Sequence, residues 1–357
     1  MPYCRKCGAK LEAEAKFCHV CGTSIDVVAS PRFGRTRYAR RHRSPVLVST
    51  FMLIAIFLIA FAFIGLFTFF PIRAVNVKES KHVPFNASIQ TLSLNLTADI
   101  AQINILFENL ADKLVVLNVS ATGAVGMLAP SNVLNVTFDH TFDGSTLMVD
   151  SRVATTYSWA WLSSLKVVCD LYVDPSMNMS LNAKTGIGKV SMNANRSVVF
   201  NALRLEATTG GIEVNLTKHA IVNGNISMKT TTGGIEFLWD NAEATINVAA
   251  QAKTTTGGIA LNIKQNSTIP ANVTLNAEAS TGGIDFTLAI WDNVGAEIAS
   301  NTTVGGISVD QNGFSGTDSL LRSDNYPARS NFIIALKTST GGIDIEADYA
   351  AGTIFSR

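Results

Sequence analysis

Residues 231–237 read TTGGIEF, and close variants of this heptapeptide return along the C-terminal half of the chain. The variants are KTGIGKV (184–190), TTGGIEV (208–214), TTGGIAL (255–261), STGGIDF (280–286), TVGGISV (303–309) and STGGIDI (339–345). Aligning the first glycine of each copy, from Gly186 to Gly341, gives steps of 24, 23, 24, 25, 23 and 36 residues. A nearly constant period of this size predicts a solenoid in which each repeat forms one coil.

Apolar residues alternate with polar ones on both sides of each Gly-Gly pair, as in strands with one buried face. They occupy even positions from Ile246 to Ala252 and odd positions from Ile259 to Ile263. A bend that uses one extra residue explains this change of parity, and glycine tolerates the backbone angles that such a bend requires. A phosphate-binding loop is disfavoured because strand alternation resumes at once and no helix follows. The sequence therefore predicts a mainly β fold, a parallel β-solenoid of about 23–25 residues per coil.

A hydrophobic strand, a proline and a T-G-x-I bend follow one another in VVCDLYVDPSMNMSLNAKTGIGKVSM at 167–192, ahead of the TGGI series. With this pattern, the region from about 90 to 350 resembles the adhesin-type family of prokaryotic surface β-helices. The resemblance implies a β-helical fold and suggests a role in adhesion. The chain departs from the family in its unusually regular Gly-Gly bends, and we expect it to lack a cleaved signal.

Two C-x-x-C-G motifs lie near the N-terminus, CRKCG and CHVCG, and they contribute Cys4, Cys7, Cys18 and Cys21. Four thiolates complete a closed tetrahedral Zn²⁺ site, and the glycine after each motif permits a tight turn. A redox dithiol would need only one such motif on a larger α/β scaffold. The motif resembles the N-terminal zinc ribbons of many prokaryotic membrane proteins. We predict a structural Zn²⁺ with no open coordination position.

The segment VLVSTFMLIAIFLIAFAFIGLFTFF at 46–70 is uncharged and long enough for a helix that crosses a membrane. A cleaved signal peptide is disfavoured by the segment's length and its distance from the N-terminus. Residues 1–45 carry ten Lys/Arg against three Asp/Glu, whereas residues 71–357 carry eighteen against twenty-four. The positive-inside rule therefore predicts a single-pass membrane protein with a cytoplasmic N-terminus and an extracellular C-terminal domain. Nucleic-acid binding by the arginine run is the less favoured alternative.

These features together predict five regions. They are a zinc ribbon at 1–23, a basic flexible linker at 24–45, a transmembrane helix at 46–70, a degenerate β cap region at 71–165 and the TGGI-repeat β-solenoid at 166–357. Two segments depart from the repeat. The aromatic stretch 157–165 is expected to cover the solenoid end, and 310–331 is expected to project as a loop that offers Phe314, Arg322, Tyr326 and Arg329 for a specific contact.

Polar positions between the apolar ones are expected to face solvent. Glu213, Glu236, Asp285 and Asp344 occupy equivalent outward positions, which predicts a solvated column or, less favoured, a cation-collecting one. Eleven N-x-S/T sequons follow residue 74, and glycosylation would be expected in an archaeal host. The candidate glycosylation sites are Asn95, Asn118, Asn135, Asn215, Asn225 and Asn272.

The favoured function is a non-enzymatic cell-surface scaffold or adhesin-like domain that contacts a surface glycan or protein, with the zinc ribbon docking a cytoplasmic protein. A transmembrane sensor that couples an external ligand to a cytoplasmic partner is the alternative. An enzyme acting on surface polymers is less favoured, because the few histidines lie near no recognisable nucleophile and the acidic residues are dispersed.

Overall fold

The computed structural model describes residues 3–4, 6–12, 15–24, 54–59, 72–126, 131–156 and 164–350. The chain divides into two compact units, Met1–Phe69 and Phe70–Arg357. The predicted membrane span at 46–70 lies outside the described residues except for a short helical segment at 54–59, and nearly all of the predicted linker lies outside them. No helix among the described residues has both the length and the apolar character that a membrane crossing requires.

The first unit contains two similar short hairpins. Isolated antiparallel bridges join Tyr3 to Lys10 and Phe17 to Ser24. Each bridge encloses one C-x-x-C-G motif, so the chain folds back immediately after each pair of cysteines. Cys4, Leu11 and Cys18 form the small buried cluster of this unit.

The second unit is built from two large sheets. Sheet A has eleven strands, in the spatial order β1 (Ile72–Pro84), β4 (Lys113–Gly126), β7 (Lys166–Val173), β3 (Gln102–Phe107), β9 (Val190–Ala194), β11 (Ile212–Leu216), β14 (Ile235–Asp240), β17 (Ile259–Gln265), β19 (Ile284–Trp291), β25 (Ile343–Ala350) and β21 (Ile307–Asn312).

Sheet B has fourteen strands. Its main path is β22 (Phe314–Thr317), β23 (Leu320–Ser323), β20 (Val294–Val304), β24 (Ser330–Thr340), β18 (Val273–Thr281), β16 (Val248–Thr256), β13 (Ile226–Thr232), β10 (Val198–Thr209), β8 (Asn178–Ile187), β2 (Thr91–Ile100), β6 (Thr146–Thr155) and β5 (Leu134–Asp143). Two short strands lie off this path: β12 (Ala220–Val222) pairs with β10, and β15 (Glu243–Ala244) pairs with β12.

Each TGGI repeat gives one strand to each sheet, and equivalent strands of neighbouring repeats pair in parallel. In sheet A, for example, Ile212 pairs with Ile235 and Ile235 pairs with Ile259. The sheets enclose a single apolar core, in which the Phe107 and Phe200 rings lie 5.5 Å apart. The predictions of a mainly β fold and of inward-facing apolar residues are therefore confirmed. Ile246 is an exception, because it precedes β16 and is 53% exposed.

The repeats do not stack in sequence order. The last repeat, β24 and β25, lies between β18/β19 and β20/β21, so that Thr281 pairs with Thr340 and Thr340 pairs with Val304. At the other end, β2 and β3 lie between β6/β7 and β8/β9. Strands from the region expected to form a cap therefore lie within both sheets.

The Gly-Gly pairs form the bends between the sheets. Gly210 has φ +134°, and a Cβ atom at this residue would lie 2.0 Å from the carbonyl oxygen of Gly188. The structure thus aligns Gly188, and not Gly186, with the first glycine of the other repeats. The register confirms the shift, since Thr209 pairs with Ile187. The sequence alignment was wrong there because TGIG contains two glycines that fit the motif.

The prediction that 310–331 projects as a loop is wrong. Its central part is the antiparallel hairpin β22–β23, and β23 pairs with β20 along the edge of the parallel stack. Phe314 is buried. Arg322 forms an ion pair with Glu297 (Nε to Oε2, 2.7 Å), and its guanidinium carbon lies 5.6 Å from the centroid of the Tyr326 ring. The hairpin covers an edge whose backbone groups would otherwise be unpaired.

Candidate functional site

The two hairpins of the N-terminal unit bring four cysteines together. The Sγ atoms of Cys4, Cys7, Cys18 and Cys21 all lie within 4.8 Å of one another. In each hairpin, the N–H of the glycine after the second cysteine donates to the carbonyl of the first, from Gly8 to Cys4 (2.9 Å) and from Gly22 to Cys18 (2.8 Å). Both glycines have positive φ, at 73° and 66°, so the turn after each motif requires glycine there.

Proton affinities differ among the four thiols because they share hydrogen bonds at close range. A hydrogen bond from the Thr23 hydroxyl lowers the pKa of Cys21 to about 6. At Cys7 the Ala9 N–H favours the thiolate, yet hydrogen bonds with Cys21 and Cys18 and burial together raise the pKa to about 12. A divalent cation bound by all four sulfurs would remove this competition for protons.

The donor set fits a structural Zn²⁺ bound by Cys4, Cys7, Cys18 and Cys21, as the sequence predicted. Four thiolates fill the tetrahedral positions of zinc, so the ion would stabilise the ribbon and offer no position for a substrate.

A second feature lies on the outward face of sheet A. Three shallow depressions follow one another there, and we call them together the polar trough. The first crosses β1, β4 and β7, the second crosses β3, β9 and β11, and the third, of about 400 Å³, crosses β11, β14, β17 and β19. Their outward-facing polar residues are Lys78, Ser80, Asn118, Ser120, Asp170, Asn104, Ser191, Asn193, Glu213, Asn215, Glu236, Asn262, Asp285 and Thr287.

Strand register sets the central row of the trough, because residues that pair across neighbouring strands face the same side of the sheet. At the N-terminal end, hydrogen bonds fix the side chains of this row. Asn104 donates to Asp170 (2.7 Å) and accepts from Ser191 (3.0 Å), and Ser80 donates to Asn118 (2.7 Å). The first and second depressions are joined through the pair of Asn104 and Asp170.

The trough is acidic. Its outward-facing lining residues include the carboxylates of Asp170, Glu213, Glu236 and Asp285 but only one lysine, Lys78. Glu213 pairs with Lys189 (2.5 Å), which lies beside the second depression. Among the described residues, the carboxylates of Glu236 and Asp285 have no hydrogen-bond or ion-pair partner.

The predicted acidic column is confirmed as an outward row, and Glu213, Glu236 and Asp285 of this row line the trough. In the strand register Glu213 lies opposite Glu236, and Ala260 lies between Glu236 and Asp285. Asp344 pairs directly with Asp285, because the last repeat is inserted there.

Asn215 lies where the second and third depressions meet. Its Oδ1 atom is buried and has no hydrogen-bond partner among the described residues. A buried acceptor without a donor costs about 1–3 kcal/mol, so an unsatisfied atom at this junction is a site where a ligand's donor would be favourable.

The candidate glycosylation sites fall in different environments, and their modification stays a prediction. Asn135 and Asn225 are exposed. Asn118 and Asn215 line the polar trough. Asn95 donates to Asp150 (3.1 Å) on sheet B, whereas Asn272 accepts from the N–H of Asn331 (2.8 Å).

Comparison with known proteins identifies the N-terminal zinc ribbon but gives only weak structural similarity for the rest of the chain. The model of the zinc-ribbon domain family matches residues 3–25. No curated protein matches the chain. The four cysteines and this match together establish a zinc ribbon at the N-terminus.

Among solved structures, the chain is similar to a candidate cell adhesion protein of Clostridium sporogenes, with 13% identity, a TM-score of 0.35 and coverage of 76% of this chain and 100% of that chain. A candidate adhesin of Bacteroides fragilis has 14% identity and a TM-score of 0.26, and the match covers 76% of this chain and 97% of that chain. A candidate adhesin of Parabacteroides merdae has 10% identity and a TM-score of 0.25, with coverage of 75% of this chain and 95% of that chain. At these TM-scores the similarity carries no argument about ligand or activity.

Sequence reasoning missed the N-terminal half of the trough. Ser80, Asn118 and Asn104 belong to strands with no glycine motif to align them, and Ser191 follows the TGIG copy that was aligned on Gly186 instead of Gly188. Their outward parity was visible in the sequence, but the strand neighbours that join them into one row were not.

Proposed function

We propose that the chain is a single-pass membrane protein whose β body forms a parallel β-solenoid at the cell surface and acts there as a non-enzymatic, adhesin-like binding scaffold. The observation that carries this proposal is the polar trough, one outward face to which nine neighbouring strands contribute. Strands hold these side chains in fixed register, so an elongated partner meets a preorganised surface.

In this proposal the zinc ribbon stays in the cytoplasm and docks a protein. Tyr3, Phe17 and Val20 support this role, because each is 63% exposed close to the cysteine cluster. Exposed apolar side chains on a small rigid unit are typical of a protein-binding surface.

Topology is tested by adding one reporter cysteine at a time and by locating the label of a membrane-impermeant maleimide with peptide mapping, because Cys7 of the ribbon is an exposed native thiol. Thr255→Cys places a thiol on an exposed residue of β16, and Ser24→Cys places one on an exposed residue of the ribbon. We expect intact cells to be labelled at residue 255, and labelling at residue 24 only after permeabilisation. The native Cys169 is buried and serves as an internal blank. Labelling of residue 255 only after permeabilisation contradicts the proposal.

Adhesion is tested on cells that display the full-length chain. We expect these cells to be retained on an envelope-coated surface more strongly than cells without the chain. Equal retention of both kinds of cell would refute the binding role.

A further inference from the structure

We infer that the polar trough binds a linear polysaccharide of neutral or amine-bearing sugars. The inference rests on the proposed binding function and names the class of ligand for the same surface.

The first argument is the shape and repeat of the trough. Nine strands in one sheet are separated by eight steps of about 4.8 Å, so the trough extends over about 38 Å. Its width is only a few residues along each strand. One strand step is close to the length of one pyranose unit in an extended chain, so successive sugars would meet equivalent strand positions.

The second argument is the chemistry of the lining. Asn193, Asn262 and Thr287 belong to one row across the strands, which also contains Asn215 and the apolar Leu238, and they offer neutral donors and acceptors. Glu236 and Asp285 add carboxylates that can each accept more than one hydrogen bond. Sugar hydroxyls are both donors and acceptors, and they suit a mixed surface of this kind. An extended peptide is disfavoured, because it adds to a sheet edge, whereas the backbone groups here are already paired within the sheet.

The third argument is charge. Four outward-facing carboxylates outnumber Lys78 and Lys189, so the trough repels polyanions, which disfavours uronate polymers and nucleic acids and favours neutral or amine-bearing chains. Asn215 adds a specific acceptor, since rotation of its amide would turn the unpartnered Oδ1 towards a hydroxyl in the trough.

Ala260 allows a test with a matched control. It is exposed in the middle of the third depression, between Glu236 and Asp285 in the register. Ala260→Lys would place a cation across the trough, where it can pair with these two carboxylates without disturbing the core. Ala249→Lys makes the same change at an exposed position of β16, on the outward face of sheet B.

The experiment is calorimetric titration of the full-length protein with three hexamers, those of β-1,4-linked glucose, β-1,4-linked glucosamine and α-1,4-linked galacturonate. We expect the glucose or glucosamine hexamer to bind at least about tenfold more tightly than the galacturonate hexamer and than its own dimer. Ala260→Lys should weaken binding about tenfold or more, whereas Ala249→Lys should leave it within about twofold. Unchanged thermal unfolding shows that both variants are folded.

Several outcomes would overturn the inference. These are no binding of any hexamer, galacturonate binding as tightly as the others, or equal effects of the two lysine variants. Surface labelling and adhesion that persist without hexamer binding would reject this ligand class and leave the scaffold function intact. Hexamer binding by a chain that is not surface-labelled would reject the scaffold proposal instead.

Discussion

Gly233 illustrates why the repeat is conspicuous in the sequence. Its φ of +147° is a conformation that residues with a Cβ rarely adopt, and a Cβ atom would lie 2.0 Å from the carbonyl oxygen of Gly210. The conformation and the close approach therefore both require glycine at this bend.

We predict that Gly233→Ala lowers the free energy of unfolding by about 3 kcal/mol, because the new methyl group meets backbone that cannot move aside. Gly306→Ala is the matched control, since a Cβ atom there has no neighbour within 4 Å, and its effect should stay within about 0.5 kcal/mol. Urea unfolding followed by far-UV circular dichroism measures both. Equal stabilities of the two variants would contradict this account of the bend.

Buried threonines form a second residue-scale feature, which the sequence pattern did not reveal. The Oγ1 hydroxyls of Thr230 and Thr254 each donate to the carbonyl oxygen of the bend glycine in the neighbouring repeat, at 2.9 Å. These glycines are Gly210 and Gly233, respectively. Thr338 makes the same contact with Gly282. These hydroxyls satisfy carbonyls beside the core, so the threonine three residues before the glycine has a structural role.

Thr254→Val should destabilise the protein by about 1 kcal/mol, because it removes one hydrogen bond while keeping the volume of the side chain. The neighbouring Thr255 is exposed, and Thr255→Val should have almost no effect. Thermal or urea unfolding of the two variants measures this difference in stability. A larger destabilisation by Thr255→Val than by Thr254→Val would refute the structural role of the Thr254 hydroxyl.

At the scale of the element, the zinc ribbon depends on its metal because its buried cluster is so small. Cys18→Ser should abolish stoichiometric zinc in the purified full-length protein, as measured by inductively coupled plasma mass spectrometry. Cys169→Ser is the control and should retain zinc, since Cys169 lies in β7 of the second unit. Full zinc content in the Cys18 variant would show that the four cysteines do not form one site.

At the scale of the whole molecule, the distinctive feature is the insertion of the last repeat between two earlier ones. Because the insertion makes Thr281 a neighbour of Thr340 and separates it from Val304, cysteine pairs can test the order of repeats.

The double variant Thr281→Cys/Thr340→Cys should form a disulfide on mild oxidation, because residues paired across parallel strands lie within the Cα distance that a disulfide spans. Thr281→Cys/Val304→Cys should not, since two strand steps separate these residues by about 9.6 Å. Peptide mapping by mass spectrometry measures both. Cross-linking of the second pair alone would show that the repeats stack in sequence order.

By itself the sequence determined the features that depend on local chemistry. Paired C-x-x-C-G motifs defined the metal ligands, and the change of parity at Gly-Gly predicted strands joined by bends, because ligand geometry and alternation act over a few residues. The same locality explains the error at Gly186, where two glycines satisfied one motif.

Only the tertiary structure decided which strands are neighbours. The insertion of β24 and β25, the edge hairpin β22–β23 and the row from Ser80 to Asp285 all depend on pairing between residues far apart in the chain. Several parallel orders bury the same apolar faces, so the pattern of one strand does not select its partner. The polar trough exists because of that selection.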